Sequence, residues 1–585
     1  MAVMRQWFPR YFLVIILQFS FAIAQESVGT CLSNKISSKN SPPMVPALVM
    51  KNGVVIEPSA DDVRLEDVMG CCGICNEDSS SSSSYSPNVM YKPQMIGRMP
   101  QMTEEQALEV LQAAREAWNG GTGIWPQMSL RERIQAIENF IKELQSSRQD
   151  IIQVLMWEIG KNLPDATSEF DRTIQFIQTM ISEIRSDPEF QSGWEIIGST
   201  RAFVRRTAIG IILCLGPYNY PLNETWAMAF AALLAGNVLI MKIPTIGGLC
   251  HLLTMDAFSK TFPPGTIHFI SGSGRTTMPP LMRSGFIDGL GFIGGSKAAD
   301  ELIRQHPQPH RLKLFLQLEA KNMGIFLHDV FDEPNSSSLK ASIKEAITGT
   351  LSFNGQRCTA LKILFVPREH ADSFVQQFAK EVERMSIGLP WDSSQEGDYS
   401  QITPLPNQGR LKYMIKLIDD AISKGASIMN SNGGSVIGGS DSTLMIPAVL
   451  YPVTSSMDLY HQEQFGPVIP IVPYDTIEEV LEYGREGAYG QQVSIFTSDS
   501  QTITAARLLD MFSAIFGKIN FNSQCGRSPD TLPFSGRRSS AMGVMSARYA
   551  VKEFSIPTVI AHKDQPSITK IMSAIEKSSK FMDII

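Results

Sequence analysis

One cysteine of this chain stands in a setting suited to nucleophilic chemistry: Cys358, in the stretch Leu-Ser-Phe-Asn-Gly-Gln-Arg-Cys-Thr-Ala-Leu-Lys that runs from Leu351 to Lys362. A free thiol titrates at about 8.5 and is mostly protonated at neutral pH, whereas a neighbouring cation such as Arg357 favours the thiolate, the attacking species. Gly355 lets the chain turn tightly just before it. The competing reading is that a cysteine among apolar residues is a small buried hydrophobe, the commoner fate of such a residue. Local sequence leaves both open. A second group, Cys71, Cys72 and Cys75, has C-C-x-x-C spacing, but no histidine or fourth cysteine stands at ligand spacing, so no metal site is expected. Cys214, Cys250 and Cys525 are scattered singly, as in a reduced, intracellular style of protein.

What must position Cys358 is an alternation of helices and strands. Apolar spacing predicts helices over 103–118, 130–146, 150–159 and 165–184, the first opened by Thr103-Glu104-Glu105 as cap and acidic first turn. The apolar run 208–215 predicts a strand buried on both faces; Pro221 then opens a helix to Leu234 that Gly236 ends, and 237–243 is the next strand. A helix over 249–260, strands over 266–271 and 289–293, and a helix from Lys297 continue the pattern, and a second α/β series runs from Arg311 to about Phe516. The fold class expected is α/β, a doubly wound parallel sheet with its ligand crevice at the carboxyl ends of the strands, plus a second α/β lobe across a cleft.

The 585 residues give room for two or three domains, and a net charge of −7 with no Lys/Arg-rich run excludes the electrostatic footprint of a nucleic-acid binder. Met1 to Arg10 carries two arginines, 11–24 is an apolar run broken only by Gln18 and Ser20, and Ala22-Ile23-Ala24 supplies small residues. This predicts a signal peptide cut before Gln25, and no stable membrane insertion once it is cleaved; an uncleaved anchor or a buried N-terminal helix are the alternatives. Residues 26–101 are rich in Ser, Pro, Asn and Met and include the tract Ser79 to Ser84, so a mostly flexible extension is expected, with some order near 45–55.

Five blocks in order, Pro217-Tyr218-Asn219-Tyr220-Pro221, Lys242-Ile243-Pro244-Thr245, Phe292-Ile293-Gly294-Gly295-Ser296, the cysteine loop and Glu463-Gln464-Phe465-Gly466-Pro467-Val468, resemble the aldehyde dehydrogenase superfamily over roughly 102–563. Tyr220, Thr245 and the late block 524–536 are similar to its non-phosphorylating, NADP-dependent glyceraldehyde-3-phosphate dehydrogenases. The resemblance implies Cys358 as nucleophile and Asn219, with the Cys358 N–H, as oxyanion donor, although an Asn in a turn needs no chemistry to explain it. It implies NADP as cofactor: Gly294, Gly295 and Ser296 at the pyrophosphate, Lys242 at the adenosine ribose and 2′-phosphate, Thr245 where a carboxylate would repel that phosphate, Glu463 at the nicotinamide ribose and Phe465 against the ring. Arg172, Tyr220, Arg357 and Arg527 would hold a small phosphorylated aldehyde, although each arginine alone reads as a solvated charge. The implied division is a signal peptide (1–24), an extension (25–101), an NADP-binding domain (102–320), a catalytic domain (321–546), an oligomerisation strand (547–563) and a helical tail (564–585). A two-strand arm, about 195–206 with 555–561, would pair subunits as a homodimer or homotetramer.

One position departs from the superfamily pattern Glu-Leu-Gly-Gly-Lys, for this chain reads Gln317-Leu318-Glu319-Ala320-Lys321. Glu319, two residues on, would face the same side of a continuing strand and is the candidate general base. The missing Glu opens two alternatives: an acylating or other semialdehyde dehydrogenase, and a catalytically silent dinucleotide-binding protein, against which Cys358, Arg357 and Asn219 together argue. The signal sequence predicts the secretory route, with onward delivery to a plastid to meet NADP and a sugar phosphate; a cytoplasmic protein is the alternative.

Overall fold

The strands Ile211–Leu215 and Val238–Lys242 are apolar along their length because the sheet they form is covered on both faces. Ile212, Cys214, Leu239 and Met241 pack with the helix Asn223–Ala235, while the alternating Ile211, Leu213, Val238 and Ile240 pack with the helices Glu104–Trp118 and Gly274–Arg283. The protein is seen here as a computed structural model that describes residues 42–583 except 52, 60–62, 72–73, 76–89, 192, 334–335 and 395–396. The six-stranded sheet runs in the order Ile267–Ile270, Val238–Lys242, Ile211–Leu215, Gly289–Ile293, Lys313–Gln317 and Ala541–Met542, parallel except for the last strand. Strand order therefore reverses between Ile211–Leu215 and Gly289–Ile293. A ligand crevice belongs at such a point, and the loops that leave these two strands carry Asn219 and Gly294-Gly295-Ser296.

A second sheet has seven strands, in the order Ser427–Ile428, Ala448–Tyr451, Val468–Tyr474, Leu361–Pro367, Asn322–Phe326, Gln492–Phe496 and Lys518–Phe521, parallel except for the first pair. Cys358 lies between the helix Ser337–Leu351 and the strand Leu361–Pro367. A three-stranded antiparallel sheet joins Glu195–Ile197, Thr200–Ala208 and Ser555–Lys563, one strand more than the expected arm. It leaves Ile196, Ile197, Ile556 and Val559 exposed. The helix Pro566–Glu576 follows, with none of its residues buried.

Several expectations change. The run 208–215 is broken at Gly210, so Thr200–Ala208 leaves for the arm and only Ile211–Leu215 joins the central sheet. The helix after the Asn219 loop begins at Asn223, not Pro221, and Gly236, at φ 97°, ends it by donating to the Ala232 and Leu233 carbonyls. The single helix expected over 249–260 is two, Leu249–Leu252 and Met255–Thr261, and Gly274–Arg283 is a helix that two internal prolines conceal in the sequence. The described part of 25–101 is not flexible filler. Val49–Lys51 pairs with Val54–Ile56 and Arg64–Met69 with Met95–Gln101, and Val45, Ile96 and Met99 are buried. These short strands have no core of their own and are held by the body, as where Cys71 N–H donates to the Trp157 carbonyl. The segment Ala541–Met542, assigned above to the catalytic domain, adds a strand to the first sheet. The signal peptide, Cys72 and the serine tract lie outside the described residues. Among the described residues no helix is long and apolar enough to cross a membrane.

Candidate active site

Cys358 is held by a strained approach. Phe353, Asn354 and Gly355 take φ of 50°, 55° and 70° in succession, a conformation uncommon for a bulky residue such as Phe. A Cβ on Gly355 would sit 2.7 Å from the Thr350 carbonyl oxygen and 2.8 Å from that of Gly466, so only glycine fits there. Buried Asn354 locks the turn, donating to the Thr403 carbonyl at 2.8 Å and accepting from the Thr403 N–H at 3.0 Å. Beyond the turn, the Cys358 carbonyl accepts from Asn322 Nδ2 at 2.8 Å and Lys362 Nζ at 2.9 Å. Buried Asn219 reaches the loop, its Nδ2 donating to the Gln356 carbonyl at 2.8 Å. An amide nitrogen carries two hydrogens, so one remains for an oxyanion.

The electrostatics differ from expectation. The Arg357 guanidinium turns away, donating to the Thr348 and Gly349 carbonyls and to Gln524 Oε1, each at 3.1 Å. Burial pushes the Cys358 thiol up to about 11, the Glu224 carboxylate adds to the rise, and Lys362 and Arg527 offset part of it. The thiol of the free protein is therefore protonated, and the thiolate promised by Arg357 is not what the fold builds.

Two cavities meet at Cys358. The first, about 580 Å³, lies at the strand-order reversal; Gly294, Gly295, Gln317, Glu319, Glu463 and Phe465 are on its wall with Asn219 and Cys358. The helix Ser296–Gln305 begins there. Phe465, at φ 49°, meets Tyr218 edge to face with ring centroids 6.0 Å apart. Glu463 is already paired, with Lys362 Nζ at 2.6 Å and the Ala320 N–H at 3.1 Å. Lys242 and Thr245 are not on this wall: Lys242 is buried, donates to the Ile243 carbonyl and is pulled down to about 8 by burial, while Thr245 is exposed. Glu319 is not in a strand, which ends at Gln317, so the same-face reasoning fails; its carboxylate accepts from the Ser296 N–H at 2.8 Å. Gln317 is buried with neither end of its amide hydrogen-bonded. The glycine turn, the helix start and Phe465 fit a dinucleotide; the Glu319 carboxylate at the helix start stands in its way, and Lys242 and Thr245 do not meet it on this wall.

The second cavity, about 420 Å³, brings together all four substrate candidates, Arg172, Tyr220, Arg357 and Arg527, beside Cys358. Its charged groups are Arg172, Arg357, Arg527 and Lys518 against Glu224. Arg527 pairs with Glu224 at 2.9 Å and also meets Asn223 Oδ1; Arg172 donates to Ser528 Oγ at 2.8 Å. Beneath Tyr220 the Lys161 ammonium lies 3.4 Å from the ring centroid and pairs with Glu169, both side chains fully buried.

Lys518, Lys362 and the Lys161–Glu169 pair escaped the sequence reading. Lys362 did leave a signal, a lysine inside the apolar strand Leu361–Pro367, where a charge needs a partner. The chain matches the aldehyde dehydrogenase family over residues 76–560. It is 28% identical over 462 residues to the NADP-dependent glyceraldehyde-3-phosphate dehydrogenase of Streptococcus equinus, covering 78% of this chain and 91% of that protein. It is 26% identical over 486 residues to the enzyme of the same name from Pisum sativum, covering 82% and 91%. The crystal structure of NADP-dependent glyceraldehyde-3-phosphate dehydrogenase from Bacillus halodurans C-125 complexed with NADP has the same fold, with a TM-score of 0.74 at 24% identity over 88% of this chain and 99% of that one. With the match spanning most of its length and a cysteine loop set where two α/β sheets meet, the chain belongs to the aldehyde dehydrogenase family.

Proposed function

We propose that this oxidoreductase uses NADP to oxidise glyceraldehyde 3-phosphate to 3-phosphoglycerate. The observation that carries the reading is the meeting of the two cavities at Cys358, one walled by a glycine turn and a helix start, the other by four cations and one carboxylate. Cys358 Sγ attacks the aldehyde carbon and its proton leaves to solvent, while the free Asn219 N–H and the Cys358 N–H hold the oxyanion. Gly294, Gly295, Ser296 and Phe465 would hold NADP, which when bound would accept the hydride that leaves the thiohemiacetal carbon. The thioester left on Cys358 is opened by water, restoring the thiol and giving the carboxylic acid. The names of the Streptococcus and Pisum relatives support both cofactor and substrate.

The test compares glyceraldehyde 3-phosphate with unphosphorylated glyceraldehyde by NADPH formation in Lys518→Ala. Loss of a charge-assisted contact worth about 1.5–3 kcal/mol should lower kcat/KM for the phosphorylated aldehyde about ten- to hundredfold and leave the other unchanged. Equal effects on both would remove the phosphate assignment. Gln317, an amide at the position of the expected base, favours a second reading in which the thioester passes to an acceptor such as coenzyme A. Thioester transfer to coenzyme A faster than hydrolysis would select it. We further propose that the exposed apolar arm pairs two copies of the chain, to be checked by its mass in solution, and that the N-terminus directs it into the secretory route, to be checked by imaging a fusion of residues 1–100.

A further inference from the structure

The helix Ser296–Gln305 starts at the wall of the first cavity without help from its own sequence: Gly295 in the cap position gives no side-chain hydrogen bond and the first turn holds no acidic residue. The Ala298 and Ala299 N–H groups bond the Gly295 carbonyl. The Ser296 N–H instead donates to Glu319 Oε2 at 2.8 Å, and Glu319 Oε1 would lie 3.2 Å from a Cβ placed on Gly295. The carboxylate thus sits on the glycine turn, at the end of the helix where the backbone dipole favours a negative charge. Glu319 has no cationic partner among the described residues, and the neighbouring Lys321 ammonium turns elsewhere, to the Gln462 carbonyl at 2.7 Å and Gln464 Oε1 at 2.8 Å. Glu319 is also partly exposed and lies on the wall of the first cavity.

A pyrophosphate seated on this turn needs the same N–H and brings its own negative charge. We infer that Glu319 is an internal competitor for the cofactor: it occupies the anion seat of the free protein and sets the affinity for NADP, because binding must first displace it from Ser296. The inference rests on the cofactor half of the function proposed above. It gives Glu319 a role distinct from that of a base, since the carboxylate is committed to the dinucleotide turn and not to Cys358. Glutamine at this position would keep an oxygen for the Ser296 N–H but lose the charge; glycine would empty the seat.

The experiment is a fluorescence titration with NADPH, without aldehyde, of the full chain and of its Glu319→Gln and Glu319→Gly variants. Adenosine 2′-monophosphate, which lacks the pyrophosphate, serves as the control ligand. The expected result is a dissociation constant that falls from wild type to Gln to Gly, by about tenfold overall, the scale of one charge-assisted hydrogen bond. Affinity for the control ligand should not move. If Glu319→Gly does not fold, as judged by its unfolding transition, the Gln variant carries the test and should still bind NADPH more tightly than wild type. Unchanged or weaker NADPH binding in the variants overturns the inference, as does an equal gain for the control ligand. The expected order without turnover of any aldehyde would instead refute the proposed function alone, and no NADPH binding by any variant would overturn both.

Discussion

The protonated state of Cys358 makes a prediction that can be worked through. With the thiol at about 11, about three molecules in ten thousand carry the thiolate at pH 7.5, against about one in ten for an unperturbed thiol. Because the more basic thiolate is also about tenfold more nucleophilic, alkylation of the free protein by iodoacetamide should be about 30-fold slower than for an ordinary exposed cysteine. The rate should climb about tenfold per pH unit from 7 to 10 without levelling. The sign of two variants follows from the neighbours. Glu224 raises the thiol and Lys362 lowers it, so Glu224→Gln should move the profile to lower pH and Lys362→Met to higher pH. Mass spectrometry of the Cys358 peptide across pH reads this directly. Cys214, Cys250 and Cys525 are buried, so Cys358 should still label before them. A plateau below pH 8 in the free protein, or a Glu224→Gln profile moved upward, would refute the reasoning.

Two further outcomes follow from the geometry. Asn219→Ala removes the amide between the oxyanion site and the Gln356 carbonyl and should lower kcat by 10²–10³, about 3–4 kcal/mol, with KM little changed; steady-state kinetics in which only KM moves would count against it. Lys161→Met strands the Glu169 carboxylate, whose pair is fully buried, and should cost about 3–5 kcal/mol of stability, seen as a lower denaturation midpoint that Lys161→Met with Glu169→Leu largely recovers.

How far the sequence could be read depended on whether a residue's surroundings were local. The strand Gly289–Ile293 and the helix ended by Gly236 follow from apolar periodicity and a left-handed cap. The loop holding Asn219 and the turn at Gly294 could be placed for the same reason, because each sits between a legible strand and a legible helix. Other features depend on partners far along the chain. Arg357 precedes Cys358 yet bonds the Thr348 and Gly349 carbonyls, since the left-handed turn at 353–355 redirects the backbone, which composition does not reveal. Lys518 and Arg172 share a cavity although 346 positions separate them. The same-face argument for Glu319 needs a continuing strand, whereas the strand stops at Gln317 and the next N–H, of Leu318, donates to the Ser540 carbonyl. The strand 95–101 buries side chains against the body without a regular alternation, and 64–69, which buries none, is a strand only by pairing with it, so neither has a pattern strong enough to stand alone.

The central claim is tested most directly by mixing the purified chain with glyceraldehyde 3-phosphate and NADP in the absence of inorganic phosphate, following NADPH absorbance and identifying the product by NMR. The expected result is one 3-phosphoglycerate for each NADPH formed, with Cys358→Ser inactive. NADPH formation that persists in Cys358→Ser, or none at all from wild type, would contradict it.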